Sequence, residues 1–306
     1  MLMDMELDQV EAFVAVVRNG GFTQGAAVLH LSQPAISRRI GLLERELAAP
    51  LFERLHQGAI LTDAGRAFLP YAEALLAVSR DGIEAVRELG GTSRGAVALA
   101  VVGTLASTTL TGCLRLFREA HPGVDVRIMT ALSAGVSAIV LRGDAALGLR
   151  YGADPQPGLV SSIVHDEPLV PVCSPRHRLA RVDRIRPRDL AGERWVAFPP
   201  RQGAATEPYS VTIEQRLAAF GAGPPEIVPI DSLTAQKRMV EAGFGLALLP
   251  ESSLDEELRA GTLCALAVPA LRATVPVALI HRRGAFQTGA TRAMTAILEE
   301  WGRRTP

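Results

Sequence analysis

Gly21-Phe22-Thr23-Gln24-Gly25-Ala26-Ala27-Val28-Leu29-His30-Leu31-Ser32-Gln33-Pro34-Ala35-Ile36-Ser37-Arg38-Arg39-Ile40 holds two short apolar-periodic stretches separated by a tight break. The second opens with Ser-Gln-Pro-Ala, a helix start rich in hydrogen-bonding side chains. Two helices of this size joined by so short a turn cross steeply, and the second then presents its N-terminal polar residues to a DNA major groove. The pattern is that of a helix-turn-helix.

Outward from this stretch, Leu7, Val10, Phe13, Val14 and Val17 recur at helical spacing, and Asn19-Gly20-Gly21 ends that first helix. Thr23 is expected to cap a second helix over 24–29. Ser32 is expected to cap a third, with Pro34 in its first turn, where a missing N–H is harmless. Ile36, Ile40, Leu43 and Leu47 form the buried stripe of that third helix. Gln33, Ser37 and Arg38 fall off the stripe, facing the groove, and Pro34 and Ala35 suit contact with a thymine methyl. Leu51-Phe52 and Ile60-Leu61 flank a small hairpin bent at Gln57-Gly58, a wing.

The chain has 306 residues, 48% of them hydrophobic, enough for two or three domains with real cores. Its 32 basic and 32 acidic residues cancel, so it carries no general coat for nucleic acid. Position matters more than total. Asp4, Glu6, Asp8 and Glu11 crowd the start of the first helix, where its dipole favours them, whereas Arg38, Arg39 and Arg54 lie on and after the third helix. Apart from Lys237 the basic residues are arginines, able to grip phosphate or guanine through two donors. No apolar run approaches the roughly 18 residues of a membrane helix, and the acidic N-terminus does not read as a secretory signal. Cys113, Cys173 and Cys264 are scattered without metal-ligand spacing; they are expected to be spectator thiols in a reducing cytoplasm.

The run continues through Leu42-Leu43-Glu44-Arg45-Glu46-Leu47, Pro50-Leu51-Phe52-Glu53-Arg54 and Leu61-Thr62-Asp63-Ala64-Gly65. With the opening stretch it spells F-T-x(5)-L-x-x-S-Q-P-A-I-S, then L-E-x-x-L, P-L-F-E-R and L-T-x-A-G. Here the chain resembles the LysR-type transcriptional regulators, closely over 7–90 and by general layout beyond. Three departures stand out. Gly25 replaces the family's usual alanine, weakening the second helix by about 1 kcal/mol unless packing compensates. Ala48 replaces a usual glycine, so the turn there is expected to close differently. His56 and Gln57 occupy a wing tip that often carries basic residues, which makes binding less salt-dependent.

Beyond the wing, Phe68, Tyr71, Leu75, Val78, Gly82, Val86 and Leu89 step by three or four, with Gly82 as a gap in the seam and Pro70 expected to kink the first turns or start the regular part late. A long helix with one apolar stripe must bury it, and a symmetric dimer suits two-fold DNA sites. Gly90-Gly91-Thr92-Ser93-Arg94-Gly95 reads as a joint. From Val97 onward, short strands alternate with helices: strands over 97–102, 124–130 and 145–150, and helices over 106–120 and 133–142. A second set has strands over 169–173, 195–198, 227–230 and 245–249, helices over 210–220 and 232–242, then a strand over 275–281 and a helix over 288–301. Such units imply a parallel sheet.

The expected fold class is therefore α/β with an N-terminal all-α winged helix-turn-helix, a long linker helix and a two-lobed α/β clamshell resembling periplasmic solute-binding proteins. The expected divisions are a DNA-binding domain over 1–62, a dimerisation helix over 63–90 and an effector domain over 91–306. Within the last, lobe I covers about 95–165 and 271–306 and lobe II about 166–270, with crossings near 165–168 and 267–273.

Ligands in open α/β sheets bind where strand ends meet helix starts. Those turns carry Thr104, Ser107, Thr130, Ser133 and Ser232, with Arg150, Arg201 and Gln202 nearby. Helix N-termini aimed into one cleft favour an anion, so a small organic anion is the expected effector; Asp231 opposes it or meets an ammonium. For DNA, the expected contacts are Thr23, Ser32, Gln33, Pro34, Ser37, Arg38, Arg39 and Arg54. The resemblance implies double-stranded DNA with an inverted-repeat operator, an effector between the lobes, a homodimer or homotetramer, and RNA polymerase as a further partner if the protein activates. No cofactor, metal or membrane is expected. A solute-binding protein fits the clamshell but not the N-terminal module. For an enzyme, His30, His56, His121, His165, His177 and His281 are too scattered, and no carboxylate pair, G-x-S-x-G or phosphate loop appears.

Overall fold

The computed structural model describes residues 5–55, 58–89, 95–106, 108–199 and 208–304. Gln57 at the wing bend, His56, most of the 90–95 joint, Ser107, Arg201 and Gln202 lie outside these residues. The chain forms two units: Met1–Ser93 with Leu141–Asp144 and Gly284–Phe286, and Arg94–Val140 with Ala145–Arg283 and Gln287–Pro306.

In the first unit, helices α1 (Leu7–Arg18), α2 (Phe22–Val28) and α3 (Gln33–Glu46) precede a hairpin of β1 (Phe52–Leu55) and β2 (Gly58–Leu61), and helix α4 (Asp63–Leu89) follows. Their core holds Val10, Phe13, Val14, Ile36, Ile40, Leu43 and Leu51. Phe13 lies 5.4 Å from Phe52 and 5.5 Å from Phe68, ring centre to ring centre, so the core joins α1, the wing and α4.

The motif residues have structural tasks. Glu44 accepts hydrogen bonds from the backbone N–H groups of Leu51 (2.7 Å) and Phe52 (3.3 Å), tying α3 to the first strand of the wing. Thr62 accepts from Gly65 N–H at 3.0 Å, capping α4, and donates to the Pro50 carbonyl at 2.6 Å. One expectation is corrected: Gly21, not Thr23, precedes α2, and Thr23 is exposed inside it. Phe22, packed 5.4 Å from Phe52, is the first helical residue because the core anchors it there.

One of the departures finds a physical reason and a second is a strained position. A Cβ on Gly25 would lie 2.9 Å from the Val16 nitrogen, so α2 approaches the α1 backbone at a distance that glycine permits. Ala48 adopts φ 51, the left-handed conformation in which glycine is at ease. The turn after α3 keeps a glycine-like shape despite the alanine.

Pro70 sits inside α4, which continues through it. Ala72 and Ala77 are buried. Tyr71, Val78, Val86 and Leu89 are 61–90% exposed, and Leu75 and Ile83 are also open.

The second unit runs β3 (Ala96–Val102), α5 (Thr108–Ala120), β4 (Asp125–Ala131), α6 (Ser133–Leu141), β5 (Leu147–Tyr151), β6 (Leu159–Cys173), α7 (Pro187–Leu190), β7 (Arg194–Ala197), α8 (Pro208–Phe220), β8 (Glu226–Pro229), α9 (Leu233–Glu241), β9 (Ala247–Pro250), α10 (Asp255–Ala260), β10 (Cys264–Ala265), β11 (Ala273–Arg282) and α11 (Gly289–Arg304). The main sheet has the order β10-β6-β11-β5-β3-β4, with β9 also on β6. It is mixed rather than parallel throughout. β3 pairs in parallel with β4 and β5, but β11 runs antiparallel to both β5 and β6. β7 and β8 form a small parallel pair.

β6 extends through 165–168, the stretch read from sequence as a crossing. Its first part pairs with β11 and its last residues with β9 and β10, so this strand itself links the two lobes. Glu167 on it is 1% exposed and accepts from the Ser252 N–H at 3.1 Å.

Candidate nucleic-acid interface and ligand cleft

Helix α3 begins where Ser32, the N-cap, accepts a hydrogen bond from Ala35 N–H at 3.3 Å. Ile36, Ile40 and Leu43 are at most 1% exposed, which fixes the rotation of the helix. Ser32, Gln33, Pro34 and Arg38 are then exposed and Ser37 is half-buried. Gln33 donates to the Ser37 hydroxyl at 3.1 Å. Arg38 makes no ion pair among the described residues, whereas Arg39 is held by Asp8 at 3.0 Å. Adjacent arginines thus differ: one extends from the module and the other braces α3 against α1. The Arg54 backbone lies in β1; its side chain is outside the description.

The effector unit contains a cleft of about 640 Å³ at the ends of β3, β4 and the β8–α9 turn. Thr104, Thr130 and Ser232 line it, together with Asp231. Ser232 caps α9, accepting from Ala235 N–H at 3.4 Å, and Thr104 donates to the buried Tyr151 hydroxyl at 3.0 Å. Ser133 and Arg150 do not reach this lining. Ser133 accepts from Tyr151 N–H at 3.3 Å, and Arg150 is bound by Asp154 and by Ser137, the latter at 3.0 Å. A carboxylate four residues along the chain thus occupies the guanidinium that the sequence assigns to an effector.

The sequence reading missed other lining groups: Phe198, Lys237, Ser252, Ser253, Asp255 and Glu256. Lys237 donates to the Ser253 carbonyl at 2.9 Å and pairs with buried Glu257 at 2.7 Å. Its signal was available, since it is the chain's sole lysine. Asp231, Asp255 and Glu256 form no salt bridge among the described residues. Among those residues no group of three or more His, Cys, Asp or Glu is placed to hold a metal ion, and no helix is long and apolar enough to cross a membrane.

A winged helix-turn-helix with an exposed helix face, joined in one chain to an α/β unit with a polar cleft, defines a DNA-binding regulator with an effector-binding domain. The family model described as "Bacterial regulatory helix-turn-helix protein, lysR family" matches residues 7–66, and "LysR substrate binding domain" matches residues 90–303. The chain belongs to the LysR family of transcriptional regulators. It is 30% identical to a probable RuBisCO transcriptional regulator of Cyanidioschyzon merolae, covering 82% of this chain and 84% of that protein. It is 28% identical to the HTH-type transcriptional regulator CbbR of Rhodospirillum rubrum, covering 96% and 95%. The fold is similar to that of a full-length OxyR variant from Pseudomonas aeruginosa, with TM-score 0.72, 19% identity and coverage of 98% and 95%.

Proposed function

We propose that Gln33, Ser37 and Arg38 read base edges in the major groove, with Ser32 and Pro34 at the groove floor and Thr23 and Arg54 on the flanking phosphates. The observation that carries this reading is the rotation of α3. Its apolar stripe faces the core and leaves a polar N-terminal face on which Arg38 has no ion pair among the described residues. Arg39 acts mainly within the protein, through Asp8. The exposed stripe Tyr71, Leu75, Val78, Ile83, Val86 and Leu89 on α4 is the contact between two copies, which presents two α3 helices to a two-fold operator. Phe68 belongs instead to the core of the module. The domain divisions at 62 and 90 follow from this assignment.

The effector occupies the cleft and carries charge of both signs. The N-terminus of α9 and the hydroxyls of Thr104, Thr130 and Ser232 suit a carboxylate. Asp231, Asp255 and Glu256 suit an ammonium on the same molecule. An amino-acid-like zwitterion therefore fits better than a plain organic anion.

A retardation assay with the DNA upstream of the protein's own gene tests the first reading. A specific shift supports it, and binding that random DNA competes away equally contradicts it. A thermal-shift series on the full chain tests the second. Amino acids should raise the melting temperature by several degrees at saturation, and simple dicarboxylates should not. The reverse ranking would contradict it.

A further inference from the structure

In the effector unit the last residue of β6, Cys173, stands directly opposite Cys264, the first residue of β10, in an antiparallel pair. Opposed residues in such pairs have Cα atoms about 4.5–5.5 Å apart and side chains on one face. That separation falls within the window of about 4.4–6.8 Å that a disulfide spans. Both cysteines are free thiols; Cys173 is fully buried and Cys264 is half-buried. We propose that Cys173 and Cys264 are a redox pair that a hydroperoxide converts to an intramolecular disulfide.

The half-buried thiol is the one a small oxidant reaches. The Cys264 sulfur, as thiolate, attacks the peroxide, the O–O bond breaks, and the departing alkoxide or hydroxide takes the thiol proton. Cys264 becomes a sulfenic acid. The Cys173 sulfur then attacks the Cys264 sulfur, and the sulfenic hydroxyl leaves as water with the Cys173 proton. Two thiols lose two electrons in total, and the peroxide becomes an alcohol, or water, plus one further water. Burial pushes the Cys173 thiol up to about 12, with Cys264 adding to the rise, so Cys173 suits the second step rather than the first. The disulfide fastens β10 to β6. β10 follows α10, whose Asp255 and Glu256 line the cleft, so oxidation fixes one wall of that cleft.

The pair is independent of the DNA and effector assignments, and so is its test. Reduced full-length protein is treated with hydrogen peroxide, denatured, alkylated and digested with trypsin without reductant. The expected product joins the peptide over 151–176 to the peptide over 260–272, two hydrogens lighter than their sum and separable by dithiothreitol. Of the three thiols, Cys113 alone is then recovered alkylated. A Cys264→Ser protein should give no joined peptide and leave Cys173 alkylated. The proposal is overturned if wild-type Cys264 ends as sulfinic or sulfonic acid beside an alkylated Cys173. Thiols unchanged by peroxide, or a Cys264–Cys264 bond between two chains, overturn it equally.

Discussion

The face of α3 and the effector cleft are built in opposite ways. The α3 face comes from one short run of sequence, Ser32 to Arg38, and the packing of Ile36, Ile40 and Leu43 on the same helix sets which side chains point outward. The cleft is assembled from segments more than a hundred residues apart, from Val102 to Glu256. Its charges are settled by partners that sequence order does not bring together, as Ser253 and Glu257 settle Lys237. A surface for DNA can be laid out locally. A pocket for a small molecule is a tertiary product, and its residues are partly consumed in holding one another.

The sharpest way to test that contrast is to break the internal pairing in the cleft. Lys237→Met leaves Glu257, 5% exposed, as a buried carboxylate without its ammonium. Breaking such a pair costs about 3–5 kcal/mol, so chemical denaturation should show a large loss in the effector unit. Glu257→Gln in the same chain should restore much of it. If Lys237→Met alone is neutral, the pair is not structural.

The N-terminal module has a local counterpart. Gly25→Ala should improve helix propensity yet destabilise the protein by about 1–3 kcal/mol, because the methyl meets the Val16 backbone. A raised unfolding midpoint would show that α2 can shift away from α1.

A smaller, pH-dependent effect is expected at Asp144. Burial works to raise its carboxyl, but Arg142 and Arg18 outweigh it and hold it below its ordinary 3.8. Arg18 of α1 also pairs with Glu73 of α4 at 3.1 Å, placing Asp144 in a shared cluster. A depressed carboxyl stabilises the fold above its unfolded value, and this is lost as pH falls through the folded one. Asp144→Asn should therefore lower the urea midpoint at neutral pH, and the gap should close as pH drops below about 3.8. A gap that stays constant with pH would contradict the ion-pair origin. The smallest effect is a gain. Ala48→Gly should stabilise by about 1 kcal/mol by relieving a left-handed alanine, measurable as a modest rise in melting temperature.

Much of the first unit was legible because its elements are short, amphipathic and punctuated. Ser32 caps α3 as read, and the α2 start moved, drawn to Phe22 by contact with Phe52. In the second unit the strands and helices fall close to their expected places, but β6 hides its first part. Ser161, Ser162, Asp166 and Glu167 disguise the alternation, and Glu167 is buried because Ser252 satisfies it from 85 residues away. The site divided similarly. Thr104, Thr130 and Ser232 sit at strand ends and helix starts, where local rules apply, and they line the cleft. Arg150 is absent from the lining, and its guanidinium is held by Asp154, a carboxylate only four residues on that the sequence reading did not weigh as its partner. The cysteines were legible as scattered, not as opposed, since register emerges only once β6 and β10 pair.

The most direct measurement compares two neighbours on α3 in the same retardation assay. Arg38→Ala should weaken binding to the specific site about 10- to 100-fold, the value of one good bidentate base contact, while leaving binding to random DNA much less changed. Arg39→Ala should lose far less sequence discrimination, its guanidinium being engaged with Asp8. Equal discrimination by wild type and Arg38→Ala, or a greater loss from Arg39→Ala, would contradict the account.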